Sequence, residues 1–395
     1  MDKRTCLGWK ETACVLVCLV TALLATPAAR PGWFTSDKKD LRAGDYRISA
    51  PHAHKNLTIF LIHGKDRSQA KTYLTLQEAL EKKTAIVHET DSVNKLDVEN
   101  TSKDAEVLVQ SGDILKGGKQ DRIIAFDLIL PPKSGKVSVT AFCVEHDRWR
   151  QRGQEAVEQF HISSAQLPGK SLKLAGGGFG QFGGGVGEGA PAGQLGGAGL
   201  GQFGQFGVAG GAFGLGGGGL QFGGGQFGQQ GGVWSEVAAV QKKLRKNSGS
   251  KETDSSLQLT LEDKKVHDAV EDYVKKLAPL VENEKDVVGF AFAVNGKVNS
   301  AEVYASSEMF TKLWPKLLNA AAAEALAERD KDDVPTVTAK GVKRCLEDAD
   351  NGESVKQDIS DRTRVLMRET KKNILLETRD REHKGEWVHR TYLTK

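Results

Sequence analysis

The sequence predicts an α+β fold, with an antiparallel β-rich N-terminal half and a helix-covered small sheet in the C-terminal half. Short apolar runs bounded by turn residues fill the region from 45 to 170, and no long amphipathic helix lies between them. From residue 233 onward, helical periodicities flank the hairpin signal Asn295-Gly296. A glycine-rich stretch, residues 176–232, separates the two patterns.

Length and charge set the limits for the function. The chain has 395 residues, enough for two modest domains, and 27% of them are charged. The net charge of +4 is small and no run of five or six like charges occurs, so the sequence implies no nucleic-acid partner.

The N-terminus has the features of a secretory signal peptide over residues 1–29. Lys3, Arg4 and Lys10 precede an apolar run from Ala13 to Ala25, and small residues suited to cleavage follow near Ala28. The run is short for a membrane span, which needs about 20 residues. We therefore expect an exported protein of the periplasm, cell envelope or extracellular space, with no stable membrane span after cleavage. An uncleaved anchor is the alternative.

The first half consists mainly of predicted strands. Thr75 and Glu78 form a capping box for one short helix, Thr75–Lys82. The predicted strands are Asn56–Ile62, Ala85–His88, Lys95–Val98, Glu106–Gln110, Arg122–Leu130 and Lys136–Glu145. A turn cluster at 131–135 predicts that the last two pair as a hairpin.

The polar segment Gly112–Arg122, with the sequence GDILKGGKQDR, lies between apolar strands and is predicted to be a loop. It is not a nucleotide phosphate-binding loop: the glycine spacing is wrong by one residue, Gln120 replaces the Mg²⁺-binding hydroxyl, and a strand follows instead of a helix. Its amide and cationic donors favour binding of an anion. A solvated hairpin tip with charges for solubility is the alternative.

Candidate site residues come from this segment and from the end of the next strand. Asp121 or Glu145 is the predicted catalytic base. The predicted ligand-binding residues are Asp113, Lys116, Gly117, Gly118, Lys119, Gln120, Arg122 and Arg148. The histidines show no recognised metal-ligand spacing, so no metal is predicted, and the cofactor is unknown.

Several of these residues carry a resemblance. The segment 112–122, Cys143-Val144-Glu145, Arg148-Trp149, Val233-Trp234 and the run from Trp314 to Leu318 resemble the ARG- and rhodanese-phosphatase-associated protein domain family, in which ARG stands for ADP-ribosylglycohydrolase. The resemblance runs, with one interruption, from about residue 45 to the C-terminus. It implies an association with ADP-ribose or nucleotide metabolism and brings no established reaction.

The interruption is the glycine-rich insertion 176–232, where the unit Gly-Gln-Phe-Gly recurs. Its low apolar bulk cannot offset chain entropy, so it is predicted to be disordered. Its phenylalanines could support weak self-association. The alternative is an expanded surface loop with no role.

The second half, 233–395, combines helices and strands. The predicted helices are Val233–Arg245, Leu261–Val281, Ser307–Arg329 with a kink at Pro315, and Val337–Asp350. The predicted strands are Val287–Val294, Val298–Ala305, Val365–Glu369, Asn373–Glu377 and Glu386–Leu393. The last three either form a meander or extend the first sheet.

The cysteines and the function remain open from sequence alone. Cys143 and Cys345 are the two cysteines outside the predicted signal, and Cys143 reads as a buried small hydrophobe more readily than as a nucleophile. One hypothesis is an exported protein that binds, with or without hydrolysis, a phosphate-bearing small molecule such as an ADP-ribose- or nucleotide-like ligand. The other is an exported interaction module that uses its glycine-rich tract and sheet edges.

Overall fold

The computed structural model describes residues 41–43, 46–66, 73–90, 92–145, 160–166, 170, 173–174, 226–251, 256–330, 336–383 and 386–395. The predicted signal peptide, most of the glycine-rich insertion and Arg148 lie outside these ranges. Residues 39–395 form one compact unit.

Strands make up most of the regular structure in the first half and also close the chain. In chain order they are β1 (Leu41–Ala43), β2 (Tyr46–Ile48), β3 (His52–His54), β4 (Leu57–His63), β5 (Leu74–Thr75), β6 (Ala85–His88), β7 (Lys95–Asn100), β8 (Val107–Val109), β9 (Asp113–Gly117), β10 (Arg122–Ile124), β11 (Leu128–Leu130), β12 (Gly135–Cys143), β13 (Phe160–Gln166), β14 (Val287–Val294), β15 (Lys297–Tyr304), β16 (Glu353–Asp358), β17 (Thr363–Glu369), β18 (Asn373–Asp380) and β19 (Glu386–Thr394).

Helices are concentrated in the second half. They are α1 (Leu76–Glu81), α2 (Gln226–Ser248), α3 (Leu257–Glu262), α4 (Lys264–Leu277), a 3₁₀ turn (Ala278–Val281), α5 (Ser307–Ala327) and α6 (Ala339–Asp350). Helix α2 begins inside the predicted insertion. Among the helices of the described residues, none is long and apolar enough to cross a bilayer.

The predicted α+β class is confirmed, and the largest sheet joins the two halves of the chain. Ten antiparallel strands of the described residues form it in the order β1-β2-β4-β14-β15-β19-β18-β17-β16, with β3 added on β4. Strand β4 from the first half pairs with β14 from the second, Phe60 opposite Ala291. The sheet is therefore larger than the predicted small one, and β16 to β19 form a meander that also extends it.

The remaining strands form a six-stranded sheet, β13-β9-β10-β12-β7-β6, and a three-stranded sheet, β11-β8-β5. The predicted strand Arg122–Leu130 is therefore two strands in two sheets. The predicted hairpin forms only in part: β10 pairs antiparallel with β12, Arg122 opposite Cys143, whereas β11 pairs with β8 and the other edge of β12 pairs with β7. Asp127 lies between β10 and β11. Its buried carboxylate accepts the backbone N–H of Ser111 at 2.8 Å.

The local signals in the second half mostly hold. Asn295 and Gly296 have φ angles of 49° and 72°, which confirms the tight turn between β14 and β15. The predicted helix Leu261–Val281 is broken instead at Asp263, whose side chain accepts the N–H groups of Lys265 and Val266 as an N-cap. Helix α5 continues through Pro315.

Apolar packing covers both faces of the large sheet. On one face, Phe290 and Phe292 of β14 pack with Phe310 and Trp314 of α5. On the other face, α6 contributes to a separate core together with residues of β14, β15, β18 and β19. Helix α6 contacts β1, β2 and β18. A concave surface that is described in the next subsection lies on the face of β16, β17 and the end of β18.

Candidate functional site

The segment 112–122 does not form the exposed loop that the sequence predicts. Its first half is strand β9, and β9 is flanked by β13 and β10 in the six-stranded sheet. Asp121 and Arg122 are both 0% exposed, and Asp113 and Gln120 are also buried. The polarity of this segment is therefore largely internal to the fold.

The two predicted catalytic carboxylates are brought together, and both are buried. The backbone N–H of Asp121 donates to Glu145 Oε2 at 2.8 Å, and Asp121 Oδ1 accepts the N–H of Gly117 at 3.0 Å. Gln120 Nε2 donates to the carbonyl oxygen of Glu145 at 3.0 Å. These bonds tie the end of β9, the start of β10 and the residues after β12 to one another, which is a structural use of both side chains.

The glycine turn in the same segment already holds an anion, which is a carboxylate of the protein itself. Glu89 Oε2 accepts the N–H of Lys119 at 3.0 Å, and Glu89 Oε1 lies 3.6 Å from Nη2 of the buried Arg122. A Cβ on Gly118 would lie 2.3 Å from Phe160 and 2.7 Å from Glu89. No local pattern marks Glu89, because it follows β6 and reaches the turn only in the folded chain.

Asp113 and Lys116 belong to other surroundings. The carboxylate of Asp113 pairs with Lys316 of α5 at 2.5 Å, with both side chains buried. Lys116 pairs with Glu262 of α3 at 2.7 Å in a partly exposed position. Beside Asp113 and Gln110 lies a cavity of about 30 Å³, room for one or two water molecules and too small for a nucleotide.

A larger concave site lies on the outer face of β16, β17 and the end of β18. We call it the basic groove. Its volume is about 580 Å³. The residues that line it are Ser354, Lys356, Arg364, Leu366, Arg368, Arg379 and Arg381.

Strand register places these cations on one face. Arg364, Leu366 and Arg368 alternate along β17, so their side chains leave the sheet on the same side. Lys356 of β16 stands opposite Leu366, and Arg379 of β18 stands opposite Arg364. Like charges that face each other across a strand pair destabilise a sheet, so this arrangement needs counter-charge.

Two carboxylates supply part of that counter-charge. Asp358, at the end of β16, accepts Nε and Nη2 of Arg364 at 2.5 and 3.0 Å and lies 3.5 Å from Arg381. The hydrogen bond from Arg364 holds the pKa of Asp358 below its usual value. Glu377, which is buried, bonds Arg379 and Arg390. The groove retains more cations than these two carboxylates balance.

Sequence reasoning missed the groove because no part of it is a charge run. The alternation Arg364-Val365-Leu366-Met367-Arg368 is visible in the chain and marks a strand with one cationic face. The sequence does not show that β16 and β18 add cations on that same face, because their alignment with β17 depends on strand pairing.

A family model, ARG and Rhodanese-Phosphatase-superfamily-associated Protein domain (ARPP-1), matches residues 45–175 and 219–393. The two ranges together cover more than half of the chain. This chain belongs to the ARPP-1 family. The break between the matched ranges falls within the glycine-rich stretch, as an insertion into one domain requires. No curated protein and no solved structure matches the chain.

One cluster in this ARPP-1 domain has the composition of a metal site. Ligand atoms of Glu106, Asp380 and His383 lie within 4.8 Å of one another. The guanidinium of Arg362 fills the space that a cation would take, since it donates to Glu106 at 2.8 Å and to Asp380 at 2.6 and 2.8 Å. Burial favours a raised pKa for Asp380, but hydrogen bonds from Arg362 and Tyr73 hold its pKa below the usual range.

A second buried ionic network joins the two halves of the ARPP-1 domain. His389 of β19 contacts Asp127 at 2.7 Å through Nδ1 and Glu302 at 3.0 Å through Nε2, and its ring stacks on Tyr304. Burial lowers the pKa of His389, but the two carboxylates outweigh it and raise the pKa to about 9. The histidine is therefore a cation at neutral pH, held inside the protein by two anions.

The cysteines take no part in either network. Cys143 and Cys345 are both free. Cys143 is buried in β12, and its Sγ donates to the carbonyl oxygen of Glu145 at 2.9 Å. Burial raises the pKa of its thiol, which disfavours the thiolate that a nucleophile needs.

Proposed function

We propose that this ARPP-1 domain binds a phosphate-bearing small molecule, such as a nucleotide or an ADP-ribose-like ligand, in the basic groove. The observation that carries the proposal is the convergence of five cationic side chains on one concave surface of about 580 Å³. This volume lies in the range of small-molecule sites, about 300–1,000 Å³. A ligand of this class brings both the negative charge and the size that the groove accommodates.

The side chains in the groove suit phosphate chemistry. Arginine presents a planar fork of N–H donors that binds carboxylate and phosphate oxygens in pairs. Arg364 already makes such a two-point contact with Asp358. Leu366 lies between Arg364 and Arg368 but is only 4% exposed, so the contacts that the groove offers are mainly polar.

The proposal is for binding and includes no catalytic step. The catalytic role of Asp121 and Glu145 stays a prediction, and their burial and hydrogen bonds support a structural role instead. Neither residue lines the groove.

We also propose that the protein is exported, on the basis of its N-terminal sequence. The mature chain should then begin close to residue 29 or 30. N-terminal sequencing of the native protein would test this, and a chain that begins at Met1 or Asp2 would contradict it.

Calorimetric titration with ADP-ribose tests the binding proposal. Lys356→Ala and Arg381→Ala each remove one cation from the groove and should weaken binding at least tenfold. Lys264→Ala, which removes an exposed cation of α4 outside the groove, is the matched control and should leave binding unchanged.

Two outcomes would count against the proposal. Equal affinity of the groove variants and the parent would place the site elsewhere. Absence of binding by any phosphate compound would favour the alternative, an exported interaction module. Circular dichroism of each variant would first establish that it folds as the parent does.

A further inference from the structure

The cations of the basic groove are spread too widely for one phosphate group. Arg364 and Arg368 are four residues apart on β17, which separates their Cα atoms by about 13 Å at the usual rise of a strand. Lys356 and Arg379 lie on the two strands that flank β17 and are offset by two residues along it, which separates their Cα atoms by about 12 Å at the usual strand dimensions. A single phosphate can engage one end of this field or the other.

One end of the groove already binds a carboxylate. Asp358 contacts Arg364 at two points and Arg381 at 3.5 Å, although the side chain of Asp358 is 44% exposed. An anion that binds at this end must take the place of Asp358. Exchange of one anion for another on the same arginines returns little net free energy.

At the other end, no carboxylate of the described residues forms an ion pair with Arg368 or Lys356, although the charge of Asp350 acts on Arg368 from a greater distance. Arg368 donates Nη1 to the carbonyl oxygen of Asp350 at 2.6 Å, a backbone acceptor. Lys356 is exposed, and no ion pair joins it to a residue within the described part of the chain. Ser354 stands opposite Arg368, and Lys356 stands opposite Leu366, between the two ends, so an anion beside Arg368 can reach Lys356 without displacing Asp358.

We infer that the basic groove takes a ligand with two or more phosphate groups, one displacing Asp358 from Arg364 and Arg381 and another reaching Lys356 and Arg368. The inference rests on the proposed function and narrows its ligand class. A ligand with two phosphates loses its translational freedom only once. After the first phosphate binds, the second is held near its own position, so it binds at a high effective concentration. A ligand with one phosphate gains only one of the contacts.

Titration with inorganic phosphate, pyrophosphate and tripolyphosphate at fixed ionic strength tests the inference. Single-residue variants measure how much each end of the groove contributes to the affinity. The parent should bind tripolyphosphate at least 30-fold more tightly than phosphate, because the second anchored phosphate binds at a high effective concentration. Arg381→Ala and Lys356→Ala should each weaken tripolyphosphate at least tenfold, with Lys264→Ala unchanged.

Asp358→Asn removes the internal competitor and gives the sharpest comparison. It should strengthen tripolyphosphate binding at least threefold, because the phosphate at that end no longer has to displace a carboxylate. The inference is overturned if phosphate and tripolyphosphate bind the parent equally, or if only one end of the groove affects tripolyphosphate. If no phosphate compound binds the parent at all, the proposed function itself fails, and this outcome differs from equal binding of the series.

Discussion

The replacement of Asp121 by alanine decides whether the segment 112–122 is a structural element or a ligand site. Asp121 is fully buried, and its carboxylate accepts the N–H of Gly117 at 3.0 Å. Alanine removes this acceptor and leaves a buried donor without its partner, which costs about 1–3 kcal/mol. We expect the free energy of unfolding to fall by about 2 kcal/mol.

Two further variants control for side-chain loss as such. Lys119→Ala removes a partly exposed side chain, while the backbone N–H that Glu89 accepts is kept. It should change the free energy of unfolding by no more than about 0.5 kcal/mol. Asp121→Asn keeps an oxygen acceptor at the same place, and it should cost less than Asp121→Ala.

Urea denaturation followed by circular dichroism measures all three variants in one series. A loss of stability confined to Asp121→Ala supports the structural role. If Asp121→Ala and Lys119→Ala are both as stable as the parent, the carboxylate is not a buried acceptor and the reasoning from its geometry is refuted. The catalytic prediction for Asp121 would then regain support.

Three other predictions concern pH, backbone conformation and the insertion. The pKa of His389 is raised to about 9, above the unfolded value of about 6.5. The stabilisation that His389 contributes is therefore complete below pH 6.5 and is lost as the pH rises through 9. In urea titrations, the difference in unfolding free energy between the parent and His389→Asn should shrink by about 3 kcal/mol from pH 6 to pH 10. Gly118→Ala should lower the melting temperature by several degrees, because φ is +58° and the new Cβ would overlap Phe160; an unchanged value would show that the turn can shift. Replacement of residues 176–218 by a short Gly/Ser linker should move the melting temperature by only a few degrees, because loop-closure entropy changes slowly with length, and a large loss would show that the stretch is packed.

The elements that the sequence predicts well are those with a local cause. The capping box of Thr75 and Glu78 forms as expected at the start of α1. The turn at Asn295-Gly296 needs positive φ at two successive residues, and Asn followed by Gly is the pair of residue types that favours this conformation. Asp263 shows the converse: an apolar periodicity predicts one helix, and a single side chain that caps the next helix divides it.

The candidate site residues show where local reasoning ends. Glycines, lysines and aspartates in a row favour a loop on composition, yet the segment 112–122 is half strand and mostly buried. Its charges are balanced by Glu89 and Lys316, which are distant in sequence. The burial of a charged residue depends on partners that only the tertiary fold delivers.

From the sequence alone followed the α+β class, the family resemblance, the capping box of α1, the tight turn at Asn295-Gly296 and the glycine-rich interruption. Each depends on residues that are adjacent or regularly spaced in the chain. The joining of both halves in one large sheet, the burial of Asp121 and Arg122, and the assembly of the basic groove were decided by the tertiary structure. Strand pairing brings together residues that are distant in sequence, and a shift of one residue in the register of β17 would turn Arg364 and Arg368 to the opposite face.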